Sequence, residues 1–496
     1  MEQQKSFREI VKKYVNQSLT LAISASPASP AVGDVVTFTP AVWGDIISYS
    51  LSYGDGAVSA GAASRVTWNH IYTTPGTYTV KLSVIDSDGI SYKTDQTIII
   101  NQCPTGQVQN ENGVCVIPLL TCPNGQVLQN GVCVAVSSQL KQISAGGVHT
   151  CAINSSGQTY CWGLYDLLGG NTGNRVPVSV SALADKNIQQ ISAGSVHTCA
   201  IDSSGEVYCW GHNGDGVLGN GSTVNSLIPV ATSALAGKNI QRIAAGEYNT
   251  CAIDSSGQVY CWGRNDYGQL GNGSHTDSSV PVAISALAGK TIRQIAVGST
   301  LVCAIDSGGQ AYCWGSNELG QFGDGSTVGS LVPVTVPTLA GKTIRQIAVG
   351  STHVCVIDLN GQAYCWGRNN YGQLGNGSFT DSSIPVIVSA LAGKNIQQIV
   401  TGDNYSCATD SSGQAYCWGR NNYGQLGNGS FTDSSVPVIV SAPAGKNTQQ
   451  ISASHSHTCT IDSGGQAYCW GWNLYDQLGG SSGSMAIPVA VTLPKP

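Results

Sequence analysis

Charged side chains are scarce in this sequence. Asp, Glu, Lys and Arg make up 10% of its 496 residues, whereas about 25% is usual in globular proteins. Methionine occurs only twice, and glycine occurs 62 times. A composition so low in charge and so rich in glycine favours turn-rich β structure over the core of a helical enzyme.

A basic surface is also lacking. The net charge is −6, so the chain has no positive field that would hold the phosphates of a nucleic acid. No stretch is long and apolar enough to cross a membrane as a helix. We therefore expect no nucleic-acid partner and no membrane insertion.

Catalytic and metal-binding motifs are missing as well. Nothing resembles a nucleophile elbow, a His-Glu-x-x-His motif or a phosphate-binding glycine-rich loop at a strand–helix junction. No Cys-x2-Cys pair exists for structural zinc. Asp86-Ser87-Asp88-Gly89 lacks the further ligands of an EF-hand and is interpreted as a hairpin turn. The sequence predicts no enzyme activity, no cofactor and no bound metal.

Cysteine, in contrast, is frequent and regularly placed. Of the 18 cysteines, fourteen form seven pairs with members ten residues apart, and each pair is followed by Trp-Gly. The first step between pairs is 48 residues and the other five are 52. A unit that repeats at such an interval is typical of an array or a propeller. The pairs are Cys151 with Cys161, Cys199 with Cys209, Cys251 with Cys261, Cys303 with Cys313, Cys355 with Cys365, Cys407 with Cys417, and Cys459 with Cys469.

The third unit shows what each pair surrounds. Ser255-Ser256-Gly257 is typical of a three-residue hairpin loop with glycine in the left-handed conformation. This loop places Cys251 opposite Cys261 on two antiparallel strands, where Cβ atoms lie about 4.5–5.5 Å apart, and small adjustments allow a disulfide. The sequence therefore predicts a disulfide in every unit, and buried free thiols are the alternative.

Two further strand-like stretches complete the unit. An alternating run, Ile243–Gly246, precedes the hairpin, and Val280–Ile284 follows it after a long polar loop. Four short strands in about 52 residues form one propeller blade. The first unit has no Pro-Val strand before it and the last ends with one, Ile487–Val491. We expect these two ends to join in one sheet and remove an exposed edge, with Val132–Val134 as the competing strand.

The units resemble the RCC1 (regulator of chromosome condensation) repeat. The resemblance rests on stretches such as Ile143–Thr150 and Gly268–Gly273 and covers about residues 139–493. It implies an all-β fold, a seven-bladed β-propeller. The paired cysteines before Trp-Gly are similar to those of extracellular members. The acidic net charge argues against a chromatin role and against nucleotide exchange on a nuclear GTPase.

The family's histidine is kept in some units and replaced in others. A residue exchanged for leucine within one ring is expected to pack and to form hydrogen bonds, not to bind a ligand. The histidines are His149, His197, His353 and His457, and the replacements are Asn249, Leu301 and Tyr405.

Residues 19–101 predict a separate domain. Tyr53–Gly56, His70–Tyr72 and Pro75–Val80 follow one another in an order that resembles the PKD (polycystic kidney disease) domain. The resemblance implies an immunoglobulin-like β-sandwich that acts as a spacer or an adhesive unit. Leu51 departs from the pattern, since the family usually has an aromatic residue there.

Residues 102–138 contain two short repeats, each with an Asn-Gly turn near its second cysteine. We expect them to form two hairpins, one stapled by Cys103 with Cys115 and the other by Cys122 with Cys133. Together they make a stiff linker before the propeller at 139–496. Cross-pairing between the two repeats is the alternative. Residues 1–18 have the pattern of an amphipathic helix, not of a signal peptide.

The cysteines indicate the compartment. An even number of cysteines in nine local pairs is typical of an oxidising environment, so we expect an extracellular or cell-surface location. We rely on the cysteines here more than on the N-terminal pattern, because nine coincidental pairings are harder to explain than one missing leader.

The long loop after each Cys-Trp-Gly is the most suggestive surface, because these loops leave the same end of every blade. Arginine, tyrosine and asparagine together are favoured in recognition surfaces. The alternative is that tyrosine and glutamine of these loops pack between blades. The candidate binding residues are Arg264, Asn265, Tyr267, Arg368, Asn369, Tyr371, Arg420, Asn421 and Tyr423.

Copied loops suit multivalent binding, whereas an active site needs residues placed once. We predict a non-enzymatic secreted or cell-surface binding and adhesion protein whose propeller recognises an extracellular protein or glycan. The alternative is a secreted enzyme inhibitor or an accessory module of an extracellular enzyme. An enzyme predicts acids or histidines that converge at the channel mouth, whereas a binder predicts an exposed patch of aromatic and arginine side chains.

Overall fold

The structure is a computed structural model. It describes residues 22–100 except 28–29, 32, 42–45, 63–66 and 87–90, four short strands within 101–138, and residues 139–494 except 165–175, 340, 442–446 and 481. The chain divides into two compact units, Met1–Cys133 and Val134–Pro496. The amphipathic pattern of residues 1–18 lies outside the described residues.

The first unit contains a β-sandwich. A three-stranded sheet in the order β1-β2-β5 faces a four-stranded sheet in the order β4-β3-β6-β7, and both contribute to one core. Leu51 is fully buried in that core, so a leucine fills the place of the usual aromatic residue. The strands are β1 (Ala22–Ser26), β2 (Val35–Ala41), β3 (Ile46–Ser52), β4 (Val58–Ala62), β5 (Trp68–Ile71), β6 (Gly76–Asp86) and β7 (Ser91–Ile100).

The motif residues of this sandwich support one another. The ring of His70 stacks on that of Tyr53 at 4.1 Å between centroids, and the Tyr72 hydroxyl donates to the Tyr53 carbonyl at 2.9 Å. β6 pairs antiparallel with β7 from Gly76 opposite Ile100 to Ile85 opposite Ser91, and these are the strands on either side of the turn predicted at Asp86-Ser87-Asp88-Gly89. Ser87–Gly89 themselves lie outside the described residues.

The linker contains two short hairpins. β8 (Val108–Gln109) pairs with β9 (Cys115–Val116), and β10 (Gln126–Gln129) pairs with β11 (Val132–Ala135). Because β11 pairs with β10, it does not take the place of a propeller strand. The two disulfides predicted here join Cys103 to Cys115 and Cys122 to Cys133. Cys103 and Cys122 lie outside the described residues.

The second unit contains seven four-stranded sheets, each built from one contiguous stretch of chain. We call these sheets blades 1–7. Their strands are β12 (Leu140–Ala145), β13 (His149–Asn154), β14 (Thr159–Gly163), β15 (Val178–Ser179); β16 (Ile188–Ala193), β17 (His197–Asp202), β18 (Val207–Gly211), β19 (Ser226–Ala231); β20 (Ile240–Ala245), β21 (Asn249–Asp254), β22 (Val259–Gly263), β23 (Ser278–Ala283); β24 (Ile292–Val297), β25 (Leu301–Asp306), β26 (Ala311–Gly315), β27 (Ser330–Thr335); β28 (Ile344–Val349), β29 (His353–Asp358), β30 (Ala363–Gly367), β31 (Ser382–Ile387); β32 (Ile396–Thr401), β33 (Tyr405–Asp410), β34 (Ala415–Gly419), β35 (Ser434–Ile439); and β36 (Thr448–Ser454), β37 (His457–Asp462), β38 (Ala467–Gly471), β39 (Met485–Ala490).

Short 3-10 turns connect one blade to the next, and each of those in the described structure ends in a buried leucine. They are Ser181–Leu183, Ser233–Leu235, Ser285–Leu287, Pro337–Leu339 and Ser389–Leu391.

The predicted hairpin register is confirmed. In blade 3, Cys251 pairs with Cys261 and Ile253 with Val259, and Gly257 has a φ of +85°, which the loop requires and which a side chain would strain. The same pairing recurs in every blade.

All seven predicted propeller disulfides form, with 4.1 Å between Cα atoms in each. The alternative of buried free thiols is therefore wrong for these fourteen cysteines. The bonds join Cys151 to Cys161, Cys199 to Cys209, Cys251 to Cys261, Cys303 to Cys313, Cys355 to Cys365, Cys407 to Cys417, and Cys459 to Cys469.

The outer strand of blades 2–7 has proline at its fourth residue. Proline has no N–H and occurs on sheet edges, and it hinders pairing with the edge of another chain. These outer strands therefore expose Ile and Val side chains on edges that cannot extend into a longer sheet. The prolines are Pro229, Pro281, Pro333, Pro385, Pro437 and Pro488.

The expected closure of the ring by a shared strand is wrong. Ile487–Val491 does not join blade 1, because β39 pairs with β38 of its own blade. Blade 7 instead packs its face against blade 1, where Gln450 Oε1 accepts from the Ile143 amide at 2.7 Å and Gln450 Nε2 donates to the Ile143 carbonyl at 2.9 Å. Gln142 binds Ile191 of blade 2 in the same way, at 3.0 Å for both bonds. Closure therefore uses the glutamine contacts that most of the other junctions have.

We expect the propeller disulfides to be inaccessible in the native protein. The fourteen cysteines of the propeller are fully buried, so they take up no thiol-alkylating reagent until a reductant and a denaturant are added. Peptide mass mapping after alkylation measures this. Labelling of native propeller cysteines would contradict the disulfides.

Removal of one bridge tests its contribution. Replacement of both Cys303 and Cys313 by alanine opens a loop of about ten residues, so the free energy of unfolding falls by roughly 2–3 kcal/mol in the chain-entropy account. Guanidinium denaturation measures the change, and the unaltered chain under non-reducing conditions is the control.

Candidate binding face

The long loops between the third and fourth strands lie at one end of the propeller, together with the turns between the first and second strands. We call this end the loop face and define it by the loops 212–225, 264–277, 316–329, 368–381, 420–433 and 472–484 and by the turns 146–148, 194–196, 246–248, 298–300, 350–352, 402–404 and 455–456. The opposite end, with the turns between the second and third strands, is the hairpin face. All nine predicted binding residues lie on the loop face.

The three asparagines among them do not face solvent, which corrects the prediction for Asn265, Asn369 and Asn421. Asn265 is fully buried. Its Nδ2 donates to the carbonyls of Ser274 and Thr276 at 2.9 and 3.1 Å, and its Oδ1 accepts from the Leu270 amide at 2.8 Å. Asn369 and Asn421 make the same contacts. These side chains fix the shape of the loops because they supply hydrogen bonds that the irregular backbone lacks.

The arginines remain partly exposed, and two of the three pack on tyrosine rings. The guanidinium carbon of Arg264 lies 5.4 Å from the ring centre of Tyr248, and its Nε binds Asp266 at 2.5 Å. The guanidinium of Arg420 in blade 6 lies 5.0 Å from the ring of Tyr371 in blade 5. Tyr371 therefore packs between blades, whereas 45% of Tyr267 is exposed. Arg368 and Tyr423 are half-buried.

The loops of blades 3–7 have a glutamine that lies in the seam with the next blade, so the packing alternative is correct for this residue; blade 2 has Val217 in its place. The carbonyl of Gln269 in blade 3 accepts a hydrogen bond from the indole Nε1 of Trp314 in blade 4 at 2.9 Å. The corresponding carbonyl in blade 7, Gln477, accepts from Trp162 of blade 1 at 2.8 Å. Trp262, Trp366, Trp418 and Trp470 are held in the same way. These tryptophans are fully buried.

The same carbonyl accepts a second hydrogen bond at several seams. The hydroxyl of Thr150 donates to Gln477 at 2.9 Å and lies 2.9 Å from Nε2 of His457. A hydroxyl has one hydrogen, so a Thr150 that donates to the carbonyl must accept from the histidine. His457 is therefore protonated at Nε2. Thr250 with His197 and Ser406 with His353 repeat this geometry.

The four histidines are neutral structural residues, as predicted. All are fully buried, and burial alone lowers the pKa of His149 and His353 to about 3. Burial lowers the pKa of His197 and His457 to about 3 as well, with a smaller contribution from neighbouring histidines. Within the described structure, Nδ1 of each ring has no hydrogen-bond partner. At neutral pH these histidines are therefore uncharged, and their hydrogen bonds link neighbouring blades.

Two of the three replacements of histidine are accompanied by a matching residue in the next blade. Where blade 4 has Leu301, blade 5 has Val354 in place of the hydroxyl residue, and both are fully buried. Tyr405 reaches further, to the hydroxyl of Thr458 at 2.9 Å. The seam between blades 3 and 4 has no such match. There the polar Asn249 takes the place of the histidine and the apolar Val302 takes the place of the hydroxyl residue. Within the described structure, neither polar atom of the Asn249 side chain has a partner.

Acids and a histidine do converge at the centre of the loop face. Glu247, Asp403 and His455 come from three blades and line a channel mouth of about 210 Å³. Nε2 of His455 lies 4.0 Å from Asp403 and 3.4 Å from the hydroxyl of Ser195. A nucleophilic relay needs the acid and the hydroxyl on opposite ring nitrogens, so this arrangement does not activate Ser195. Within the described residues, no three His, Cys, Asp or Glu side chains are placed to hold a metal ion.

An aromatic cluster between blades 6 and 7 was missed by the sequence analysis. The rings of Tyr423 and Trp472 lie 6.0 Å apart at 44°, and Tyr475 meets Trp472 edge-on at 5.5 Å. Tyr423 and Trp472 line a cleft of about 360 Å³ with Leu474 and Asp476. The available signal was the departure of blade 7 from the Arg-Asn-x-Tyr pattern of its neighbours.

Charge differs between the two faces. The described part of the loop face contains ten carboxylates and three guanidiniums, those of Arg264, Arg368 and Arg420. The described part of the hairpin face contains nine cationic and eight acidic side chains. The negative charge of the propeller is therefore concentrated on the loop face. Its acids are Asp215, Glu247, Asp266, Asp277, Glu318, Asp324, Asp381, Asp403, Asp433 and Asp476.

A double-mutant cycle tests the seam. We expect His353→Leu or Ser406→Val alone to reduce the free energy of unfolding by about 1–3 kcal/mol, because each leaves a buried polar group unpaired. The double variant reproduces the Leu301–Val354 pair of the neighbouring seam, so its loss is smaller than the sum of the two. Urea denaturation of the four proteins measures the coupling, and strict additivity would show that the pair does not interact.

Stability depends on pH through these histidines. Their pKa is about 3 in the folded chain and about 6.5 when unfolded. The unfolded state therefore binds more protons below pH 6.5, and stability falls by about 1.4 kcal/mol per pH unit for each histidine as pH decreases. Urea midpoints between pH 7 and 4.5 measure the slope. The variant with both His353→Leu and Ser406→Val, which has one histidine fewer, should show a shallower slope, and an equal slope would contradict the assignment.

Comparison with known proteins agrees with the fold. The RCC1-like domain family model matches residues 109–356 and 167–495, and the PKD domain model matches residues 21–100. Human WBSCR16 superposes with a TM-score of 0.60 at 22% identity, over 66% of this chain and 88% of that structure. Prp20p from Saccharomyces cerevisiae gives 0.60 at 22%, over 67% and 85%. At these identities the two structures support the propeller fold alone.

Two curated relatives share more sequence. The ultraviolet-B receptor UVR8 of Arabidopsis thaliana is 37% identical over 282 residues, 56% of this chain and 64% of UVR8. The E3 ubiquitin-protein ligase HERC2 of Homo sapiens is 33% identical over 246 residues, 49% of this chain and 5% of HERC2. The chain thus spans less than two thirds of either relative. With most of the propeller matched, the chain belongs to the RCC1-like domain family and has a PKD domain ahead of its propeller.

Proposed function

We propose that this protein is a non-enzymatic binding protein whose loop face recognises a protein partner. The observation that carries the proposal is the concentration of charge: in the described part of the loop face, ten carboxylates and three guanidiniums occur with exposed aromatic side chains such as Tyr267 and Phe379. Complementary charge speeds and orients association, and aromatic side chains supply much of the energy at interfaces.

Relatives support a binding role. The structure of Prp20p is described together with the binding of that protein to Gsp1p and histones, and UVR8 is a receptor. For the present chain, the channel mouth at Ser195 and His455 lacks the geometry of a nucleophilic relay, which favours a binder over an enzyme built on the same ring.

The proposed location is extracellular or at the cell surface. Seven buried disulfides are typical of an oxidising compartment, and in the described part of the chain no helix is long and apolar enough to cross a membrane. The PKD domain is then a spacer ahead of the propeller. Inhibition of a secreted enzyme by the same face is the alternative role.

Charge reversal on the loop face tests the proposal. The full chain is used to capture partners from cell-surface extracts and is screened on a glycan array. Glu318→Lys combined with Asp266→Lys should weaken the captured protein about tenfold, mainly through slower association and with a smaller salt dependence. Both side chains are exposed, so folding is retained. Surface plasmon resonance measures the rates.

A matched variant separates this face from the other. Asp185→Lys reverses an exposed acid on the hairpin face and should leave binding unchanged. Equal losses in both variants, or binding of glycans with no protein captured, would contradict recognition of a protein by the loop face. Inhibition of a captured enzyme would decide for the alternative role.

A further inference from the structure

The aromatic cleft between blades 6 and 7 departs from the rest of the ring at two positions that line it. Trp472 stands where blades 3, 5 and 6 have an arginine, and Asp476 stands where blades 2–6 have a glycine in the left-handed conformation. Asp476 keeps that conformation, with a φ of +61°, which side chains rarely adopt. A residue held in such a conformation points to a functional role for its side chain.

The chain itself shows what such aromatic surfaces bind. At the seam between blades 5 and 6, the guanidinium of Arg420 lies 5.0 Å from the ring centre of Tyr371. One seam further on, the equivalent tyrosine is Tyr423, and Trp472 occupies the place of the arginine. The two rings face the cleft with no cationic side chain among its lining residues. The surface that carries an arginine at one seam therefore has a second aromatic ring in its place at the next.

Charge decides between the ligands that stack on aromatic rings. Sugars and prolines do so without charge, whereas guanidinium and ammonium groups are attracted by the ring faces. The cleft contains the carboxylate of Asp476 and lies on a face whose described part has ten acids and three arginines. That field attracts cations and repels anions. A planar guanidinium suits an aromatic surface better than an ammonium does, since it stacks on a ring face as well as carrying charge.

We propose that the cleft formed by Tyr423, Trp472, Leu474 and Asp476 binds an arginine side chain of the protein partner. Tyr475 packs against Trp472 from outside the cleft and orients its ring. The inference deepens the proposed recognition of a protein by the loop face and rests on it. It adds the chemistry of one contact, an arginine stacked on an aromatic cluster beside a carboxylate.

Titration with short peptides tests this directly on the full chain. The probe is a capped Gly-Gly-Arg-Gly-Gly peptide, and the comparison peptides contain citrulline, lysine or glutamate in place of arginine; maltotetraose is a further arm. Among the described tryptophans Trp472 alone is not buried, so its fluorescence reports occupancy. We expect the arginine peptide to bind at least fivefold more tightly than the citrulline peptide, and its binding to weaken with salt.

Variants borrowed from sister blades keep the fold. Trp472→Arg restores the residue of blades 3, 5 and 6 and should reduce binding at least tenfold, because the new cation occupies the ring of Tyr423. It also removes the fluorescent reporter, so peptide binding is measured by calorimetry for all variants. Asp476→Gly restores the residue of blades 2–6 and should weaken binding about threefold. Leu359→Ser, which introduces the residue that the other six blades have at this position, removes an exposed apolar side chain on the hairpin face and should change nothing.

The outcomes separate the two proposals. Equal binding of the arginine and citrulline peptides, tighter binding of maltotetraose, or unchanged binding by Trp472→Arg would each overturn the arginine site. If the captured partner is still lost on charge reversal at Glu318 and Asp266, recognition by the loop face stands without it. If the partner is retained there, the loop-face proposal fails, whatever the peptides show.

Discussion

One backbone carbonyl in each long loop holds the ring together. The carbonyl of Gln477 accepts the indole N–H of Trp162 and the hydroxyl of Thr150, and corresponding carbonyls serve other seams. Because both donors are fully buried, the loop must keep its place for these groups to be paired, and an unpaired buried donor is costly. The buried side chain of Asn265 and its copies shape the loop that carries this carbonyl. The outer surface of the loops can therefore vary while their inner side stays fixed.

The seams are not equal. Gln142 and its counterparts bridge the backbones of neighbouring blades, but blade 3 has an exposed Arg242 at this position, and its Asn249 is buried without a partner in the described structure. The seam between blades 3 and 4 thus lacks two contacts that most of the others have, while it keeps the bond from Trp314 to Gln269. Resistance of the ring to local opening should be lowest there.

Local features of the fold were predictable and non-local ones were not. The register of Cys251 with Cys261 follows from a three-residue turn with glycine, which is fixed within eleven residues of chain. Ring closure depends on contacts between residues 143 and 450, far apart in sequence, and a plausible edge-pairing argument led to the wrong strand. Asparagine is common in recognition surfaces, but the side chain of Asn265 forms its hydrogen bonds within its own loop and is buried there. The sequence shows Trp472 and Asp476 as exceptions to the repeat. Only the structure shows that Trp472 lies against Tyr423 and that both exceptions line one cleft.

Because none of the described propeller sheets takes a strand from another repeat, each blade corresponds to one continuous segment of the chain. Duplication or loss of about 52 codons by unequal recombination adds or removes a whole sheet without cutting a disulfide or a hairpin. The near-identity of the third, fifth and sixth repeats is what recent events of this kind leave behind. A lineage can thus multiply one loop sequence around the ring and then diversify single copies, as the seventh repeat has been.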